Sequence, residues 1–173
     1  WKRVFDQFKI TQFDTFSGDG SILKKLKNNY FVQESEYIFI DEAHRFRNAE
    51  TETYNDLYEI CEGKKVILIT ATPLNNRFLD ILSQLRLFLK PRVSNIPGIT
   101  NLNFFFNYWD KKVKDSKKKI KEENGPINYI STVRRGAEAI REKVLSEVMV
   151  RRTRTEISDL YQEDMKNNNF NFP

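Results

Sequence analysis

The sequence predicts an α/β fold with a parallel sheet, and three observations carry that prediction. Two continuous apolar runs, Tyr37-Ile38-Phe39-Ile40 and Val66-Ile67-Leu68-Ile69, read as strands covered on both faces. The stretch from Glu50 to Cys61 between them reads as a helix, with Asn48 near its start and Gly63 just past its end. Strand, helix and strand within about 30 residues is the size of one right-handed βαβ unit. The chain has 173 residues, of which 39% are hydrophobic and 31% charged, enough for a packed core and for one domain or a large part of one.

The other elements follow in order. Ile10 to Phe16 reads as a third, weaker strand, the turn Gly18-Asp19-Gly20 follows it, and Ser21 to Asn29 reads as a helix. From Arg77 to Leu89 the spacing of Phe78, Leu79, Ile81, Leu82, Leu85, Leu87, Phe88 and Leu89 predicts a largely buried helix. Pro91 and Pro97-Gly98 break the chain, and a different composition begins. Asn103 to Lys119 starts aromatic and ends lysine-rich, Asn124-Gly125-Pro126 makes a turn, and Ile127 to Glu142 reads as another helix. Glu147 to Val150 reads as a return strand and Thr155 to Met165 as a last helix, with a frayed tail from Asn167. The expected organisation is a sheet-bearing segment over 1–90, a helical basic insertion over 91–146, and a closing segment over 147–173.

Composition excludes several classes. No apolar run approaches the roughly 20 residues of a membrane-spanning helix, and the start, Trp1 to Asp6, lacks the pattern of a signal peptide. A single cysteine, Cys61, excludes an internal disulfide, and a single histidine, His44, excludes a multi-histidine zinc site. The expected setting is intracellular: cytoplasm or nucleoid, or the nucleus in a eukaryote. The start at Trp1 in place of Met leads to the expectation of a longer polypeptide. Net charge is +5, all of it in the second half; from Arg92 to Arg154 there are 15 basic against 7 acidic residues. Such a one-sided field suits a polyanion, although a solvated lysine-rich surface has the same composition.

The chemistry is concentrated at Asp41-Glu42-Ala43-His44. An apolar strand that ends in two carboxylates places them at the carboxyl edge of the sheet, where open α/β folds bind ligands. A nucleoside triphosphatase needs one carboxylate there for Mg²⁺ and a second group for the attacking water, which assigns Asp41 to the metal and Glu42 to the water. An acidic loop that follows a strand by chance has the same four residues. Thr70-Ala71-Thr72-Pro73-Leu74-Asn75-Asn76 ends the second strand at the same edge, so Thr70 and Thr72 are expected within hydrogen-bonding reach of the pair. The same string also reads as a strand-to-helix turn with Asn75 or Asn76 as N-cap.

Asp41-Glu42-Ala43-His44-Arg45-Phe46-Arg47-Asn48 resembles motif II of superfamily 2 helicases, and its His-Arg-x-x-Asn continuation resembles the Snf2-type branch. Ile69 to Asn76 resembles that branch's motif III, with Ala71 in place of a glycine and Asn75 in place of a glutamine. Val148 to Ile157, with Arg151-Arg152-Thr153-Arg154, is similar to the segment that closes the first motor domain. The resemblance implies the later part of a RecA-like lobe of P-loop NTPase type, with a helical insertion, from an ATP- and Mg²⁺-dependent DNA translocase or helicase. It implies that His44, Thr70, Thr72 and Asn76 couple the nucleotide site to motion, and that Arg151 and Arg152 help join the two lobes.

The phosphate-binding loop, Gly-x-x-x-x-Gly-Lys-Ser/Thr, does not occur; the one Gly-Lys pair is Gly63-Lys64, followed by Lys65. The resemblance places that loop upstream of Trp1 and the second lobe downstream of Pro173, so the segment alone is expected to be inactive.

Phe104-Phe105-Phe106-Asn107-Tyr108-Trp109 reads as a core anchor more readily than as a base-stacking platform. Lys111, Lys112, Lys114, Lys117, Lys118, Lys119 and Lys121, with Arg134, Arg135 and Arg141, are candidates for phosphate contacts; a solvated helix face is the other reading. Cys61 reads as a packing residue. The partner expected first is double-stranded DNA, with RNA as the alternative, and within the polypeptide the second motor lobe. The rival from another class is a non-catalytic nucleic-acid-binding or scaffolding module with a degenerate helicase fold.

Overall fold

In the computed structural model of the 173-residue chain, residues 1–71, 77–151 and 153–167 are described. Helix α1 (Lys2–Gln7) is followed by an irregular segment, then by α2 (Gly20–Leu26) and α3 (Tyr30–Glu34). Strand β1 (Tyr37–Ile40), a 3₁₀ turn at Ala43–Phe46, α4 (Glu52–Cys61) and strand β2 (Lys65–Leu68) complete the sheet half. The helical half contains α5 (Phe78–Arg86), α6 (Leu102–Lys118), α7 (Gly125–Ile140), a π-helical turn at Arg141–Leu145, α8 (Ser146–Val148), α9 (Arg154–Leu160) and α10 (Gln162–Asn167).

The two strands pair in parallel, with Tyr37 opposite Lys65 and Ile40 opposite Leu68. The βαβ unit expected from the sequence is therefore present, with β2 beginning and ending one residue earlier than the apolar run. Helix α4 forms where local chemistry favours it. The Thr51 hydroxyl accepts a hydrogen bond from the Tyr54 amide at 3.2 Å, Glu52 lies in the first turn, and Gly63 beyond the end adopts φ +74°. Asn48 does not cap the helix; its carboxamide oxygen accepts from the Glu50 amide in the preceding turn.

Ile38, Ile40, Val66 and Leu68 pack with Leu23 and Leu26 of α2, Val32 of α3, and Tyr54, Leu57, Ile60 and Cys61 of α4. The opposite face is open: Tyr37, Phe39 and Ile67 are exposed. The expectation of strands covered on both faces is thus corrected. Helices α2, α3 and α4 all join the cluster on one face, whereas α1 reaches the other at Phe39, through Phe5, with ring centroids 5.9 Å apart.

The third strand expected over Ile10–Phe16 is not formed; the segment has no regular secondary structure and pairs with no strand among the described residues. Its contacts are local or through side chains. The Ile10 amide closes a turn onto the Phe5 carbonyl, the Thr15 amide bonds the Asp14 carboxylate, and Phe13 packs on Phe5 at 4.6 Å. Asp14 thus takes a neighbouring amide that a ladder would use. A largely apolar cavity of about 620 Å³ lies beside β1, bounded by this segment, α1, α2 and α3.

The helical half has its own core: Ile81, Leu82 and Leu85 of α5, Ile96, Ile99, Leu102 and Phe106, and Ile140, Val144 and Leu145. Leu102, Phe106, Ile140 and Val144 are fully buried. Asn101 caps α6 by accepting from the Phe104 amide at 2.9 Å. The turn before α7 needs glycine, because a Cβ on Gly125 would run into the carbonyls of Lys119 and Ile120. Of the three phenylalanines, Phe106 is core and Phe104 is 75% exposed, so helical geometry splits the aromatic run between faces.

The expected return strand at Glu147–Val150 is also corrected. Glu147 and Val148 lie in α8, Val148 and Met149 pack on the helical core, and Met149 and Val150 pair with no strand among the described residues. Helical hydrogen bonding continues to the Met149 amide, which donates to the Leu145 carbonyl at 2.8 Å. The last helix is present as two short pieces, α9 and α10.

Candidate functional site

The acidic pair stands where β1 gives way to the 3₁₀ turn. The Ile69 amide donates to the Ile40 carbonyl at 2.9 Å, and the Ala43 amide donates to the Ile69 carbonyl at 3.0 Å. Ile69 thus grips the chain on both sides of Asp41-Glu42. Ala43 and Phe46 are buried below the turn, whereas Asp41 and Glu42 are exposed. To make this turn Glu42 adopts φ +51° and ψ +44°, a left-handed conformation rare outside glycine, asparagine and aspartate. Such backbone costs on the order of 1–3 kcal/mol and persists where the surroundings enforce it, most often at functional sites.

Asp41 accepts two hydrogen bonds, at Oδ1 from the Glu42 amide (2.9 Å) and at Oδ2 from the Trp1 indole N–H (2.9 Å). The carboxylate is thereby fixed in orientation. The Trp1 contact has no signal in local sequence, because it joins residues 40 positions apart. Trp1 is itself stacked on Phe5, with centroids 5.8 Å apart. His44 Nδ1 lies 3.1 Å from Glu42 Oε2, close enough for a charge contact, but the two are not aligned and Nδ1 has no hydrogen-bond partner among the described residues.

Continuing the strand register sets Thr70 at the level of Glu42, one residue past the Ile69 grip. Thr70 is half-buried there. Thr72, Asn76 and Arg152 lie outside the described residues, as does Asn75. The N-cap position of α5 is Arg77, not Asn75 or Asn76, and it makes no side-chain capping bond. Arg151 is exposed just beyond α8.

The candidate phosphate-contacting residues lie on a hairpin of α6 and α7. Gly136 of α7 rests against Trp109 of α6, which sets the two helices side by side. Lys111, Lys112, Lys114, Lys117, Lys118, Lys119, Arg134 and Arg135 are all exposed. Some of this charge is balanced locally. Lys114 pairs with Asp110 at 2.7 Å, Lys118 with Asp115 at 3.4 Å, and the Lys112 ammonium sits 5.3 Å from the Tyr108 ring centroid. At helical spacing the lysines flank the buried stripe of α6 on both sides; they do not form one line.

Two buried features hold the site's scaffold. Asp56 of α4 is buried and pairs with Lys27 at 2.8 Å, tying α4 to the end of α2; Glu59 adds a second contact at 2.9 Å. Hydrogen bonds to Asp56 and Glu59 raise the Lys27 pKa to about 12. The Tyr54 hydroxyl donates to the Ser83 carbonyl of α5 at 2.7 Å, bridging the two halves, and burial pushes its pKa up to about 12. Burial likewise raises the Cys61 thiol to about 12, as expected of an inert packing residue.

The SNF2-related domain matches residues 6–169. A SWI/SNF-related, matrix-associated, actin-dependent regulator of chromatin (subfamily A, containing DEAD/H box 1 homolog) from Caenorhabditis elegans is 36% identical over 72 residues, 42% of this chain and 7% of that protein. The probable ATP-dependent DNA helicase CHR23 of Arabidopsis thaliana is 33% identical over 98 residues, 57% of this chain and 8% of its own length. A putative helicase, 087L, from Invertebrate iridescent virus 3 is 30% identical over 92 residues, 47% of this chain and 9% of the viral protein. The chain therefore spans less than a tenth of the length of these relatives. No solved structure matches. With the family match running over nearly its whole length, this chain belongs to the SNF2-related domain family.

Proposed function

We propose that the chain is the later part of the first RecA-like lobe of an ATP-dependent DNA translocase or helicase of Snf2 type. The observation that carries the reading is the left-handed Glu42 beside an oriented Asp41 at the carboxyl edge of a parallel sheet, in a chain of this family. On this reading 1–90 belongs to the ATPase lobe, 91–146 is a basic helical insertion, and 147–173 returns to the lobe.

The donor set fits magnesium. Mg²⁺ favours hard oxygen ligands and is held by one or two carboxylates together with water and phosphate oxygens. Among the described residues no three metal-ligating side chains converge, so an ion here would share its ligands with a nucleotide. Asp41 would hold the ion; when bound, the ion neutralises charge on the β- and γ-phosphates. Glu42 would orient and deprotonate the attacking water, and its strained backbone fixes where its carboxylate starts. His44, beside Glu42, and Thr70, beyond the Ile69 grip, with Thr72 and Asn76, would report the state of that carboxylate to the rest of the lobe. Arg151 and Arg152 would face the second lobe, and the α6–α7 hairpin, through Lys111, Lys112, Lys114, Lys117, Lys118, Lys119, Arg134 and Arg135, would approach duplex DNA. The setting that goes with such a substrate is intracellular: cytoplasm or nucleoid, or the nucleus in a eukaryote.

The test is DNA-stimulated ATP hydrolysis by the polypeptide that joins this chain to a phosphate-binding loop and a second lobe. Glu42→Gln is expected to lower turnover by at least about 10²-fold, the usual contribution of a positioned base, with ATP binding retained. Full turnover in the variant rejects the assignment of Glu42. DNA binding without any hydrolysis in the intact polypeptide favours the scaffold reading.

A further inference from the structure

A second polar site lies at the seam between the two halves. A groove of about 640 Å³ runs between the turn that follows the 3₁₀ helix, the length of α5 and Asn107 of α6; Arg47, Asn48, Arg77, Arg86 and Asn107 are among its polar lining. Two carboxylates, Glu50 and Asp80, also line it, against three guanidinium groups. Arg47 and Arg77 are exposed and make no ion pair among the described residues. Arg86 reaches Asn103 Oδ1 at 2.8 Å with one terminal nitrogen, whereas its Nε is buried without an acceptor.

The Arg86 Nε is shut off from solvent, so what Arg86 brings to the groove is the positive charge of its guanidinium. The groove also faces the start of α5, where the Arg77 side chain makes no capping bond and the Asp80 amide donates to the Arg77 carbonyl at 3.1 Å. Exposed guanidinium groups with no ion pair among the described residues, set around one concavity, suit a tetrahedral oxyanion.

We propose that this groove binds a phosphate of a nucleic-acid backbone, with the exposed Arg47 and Arg77 contacting the phosphate and Arg86 adding positive charge behind them. The proposal rests on the DNA reading above and extends it, since the α6–α7 lysines are not part of the groove. One wall, Arg47 to Glu50, follows the 3₁₀ turn that begins right after the acidic pair, and the other belongs to the helical half. A phosphate held there bridges the turn that carries Asp41 and Glu42 to the helical core.

The test is the salt dependence of binding between the chain and a fluorescein-labelled 20-base-pair duplex (about two helical turns), read by anisotropy. The variant is Arg47→Gln/Arg77→Gln, both exposed positions, with an unchanged circular dichroism spectrum as the folding check. Lys2→Gln/Lys24→Gln removes the same charge elsewhere on the surface. The slope of log K against log salt is expected to become shallower by at least about 0.9 in the arginine variant, the share of one neutralised phosphate, and by clearly less in the lysine variant. Equal slopes in the two variants overturn the groove while leaving DNA binding through the hairpin intact. Absence of duplex binding by the unaltered chain overturns the DNA reading and the groove with it.

Discussion

The two halves of the molecule solve burial differently. The helical half surrounds its own core: Phe106, Leu102, Ile140 and Val144 meet between α5, α6, α7 and the π-helical turn, and each is shielded from water. The sheet half buries only one face of its strands and leaves Tyr37, Phe39 and Ile67 exposed on the other. It compensates with polar ties, chiefly Lys27 to Asp56 and Tyr54 to the Ser83 carbonyl. The difference teaches that the chemistry-bearing half is the less self-sufficient one. Its acidic turn is held by two hydrogen bonds to Ile69 and by burial of Ala43 and Phe46. Regions near ligand sites commonly sit at the low end of local stability.

The comparison can be broken most forcefully in the helical core. Phe106→Ala removes a fully buried ring and should cost about 3–5 kcal/mol. Hydrogen exchange should then show α6 and α7 losing protection while the β1 and β2 amides keep theirs. Simultaneous loss in both halves would mean that they form one cooperative unit.

In the sheet half, Lys27→Met strips the buried Asp56 of its one ion-pair partner among the described residues and should cost about 1–3 kcal/mol. Urea denaturation monitored at Tyr54 should record it, and Asp56→Asn in the same background should recover part of the loss. No recovery would show that the pair does not set the stability of this half.

Gly136 probes the packing between α5, α6 and α7. A Cβ there would lie 2.6 Å from Phe78 and 3.2 Å from Trp109. Overpacking costs roughly 1–3 kcal/mol, against a helix-propensity gain of about 1 kcal/mol. Gly136→Ala should therefore destabilise by about 1 kcal/mol, with a change in Trp109 fluorescence. A more stable variant would show that Phe78 swings aside freely.

Alkaline pH should separate the halves with the smallest perturbation. Lys27, Tyr54 and Cys61 have folded-state pKa values raised to about 12 from 10.5, 10.0 and 9.0. A raised pKa means that the folded state holds its proton longer than the unfolded chain does. The stabilisation is complete below the unfolded values and is lost as pH rises from about 9 to 12. Exchange protection in α4 is expected to fall before that of α6 and α7 across this window. The opposite order would count against the sheet half as the weaker one.

Sequence by itself determined much of this protein. Apolar runs and breakers located the strands, α4, α5, α6 and α7, because those signals act over one to four residues, whereas the N-caps of α4 and α5 fell on Thr51 and Arg77 and not on the asparagines. Adjacent carboxylates after an apolar strand located the acidic pair for the same reason, since strand direction alone puts them at the sheet edge.

Tertiary structure decided the rest. Ile10 to Phe16 has the apolar composition of a strand, yet it pairs with no strand among the described residues; Asp14 takes the Thr15 amide and Phe13 packs on Phe5. Glu147 to Val150 looks β-forming, yet continuity with the π-helical turn and burial against the helical core hold its first half in a helix. Nothing within a few residues of Asp41 announces Trp1, and nothing near Arg47 announces Arg77 and Arg86. Those groups meet because packing the two cores against each other brings distant segments together, and no local pattern encodes where two cores touch.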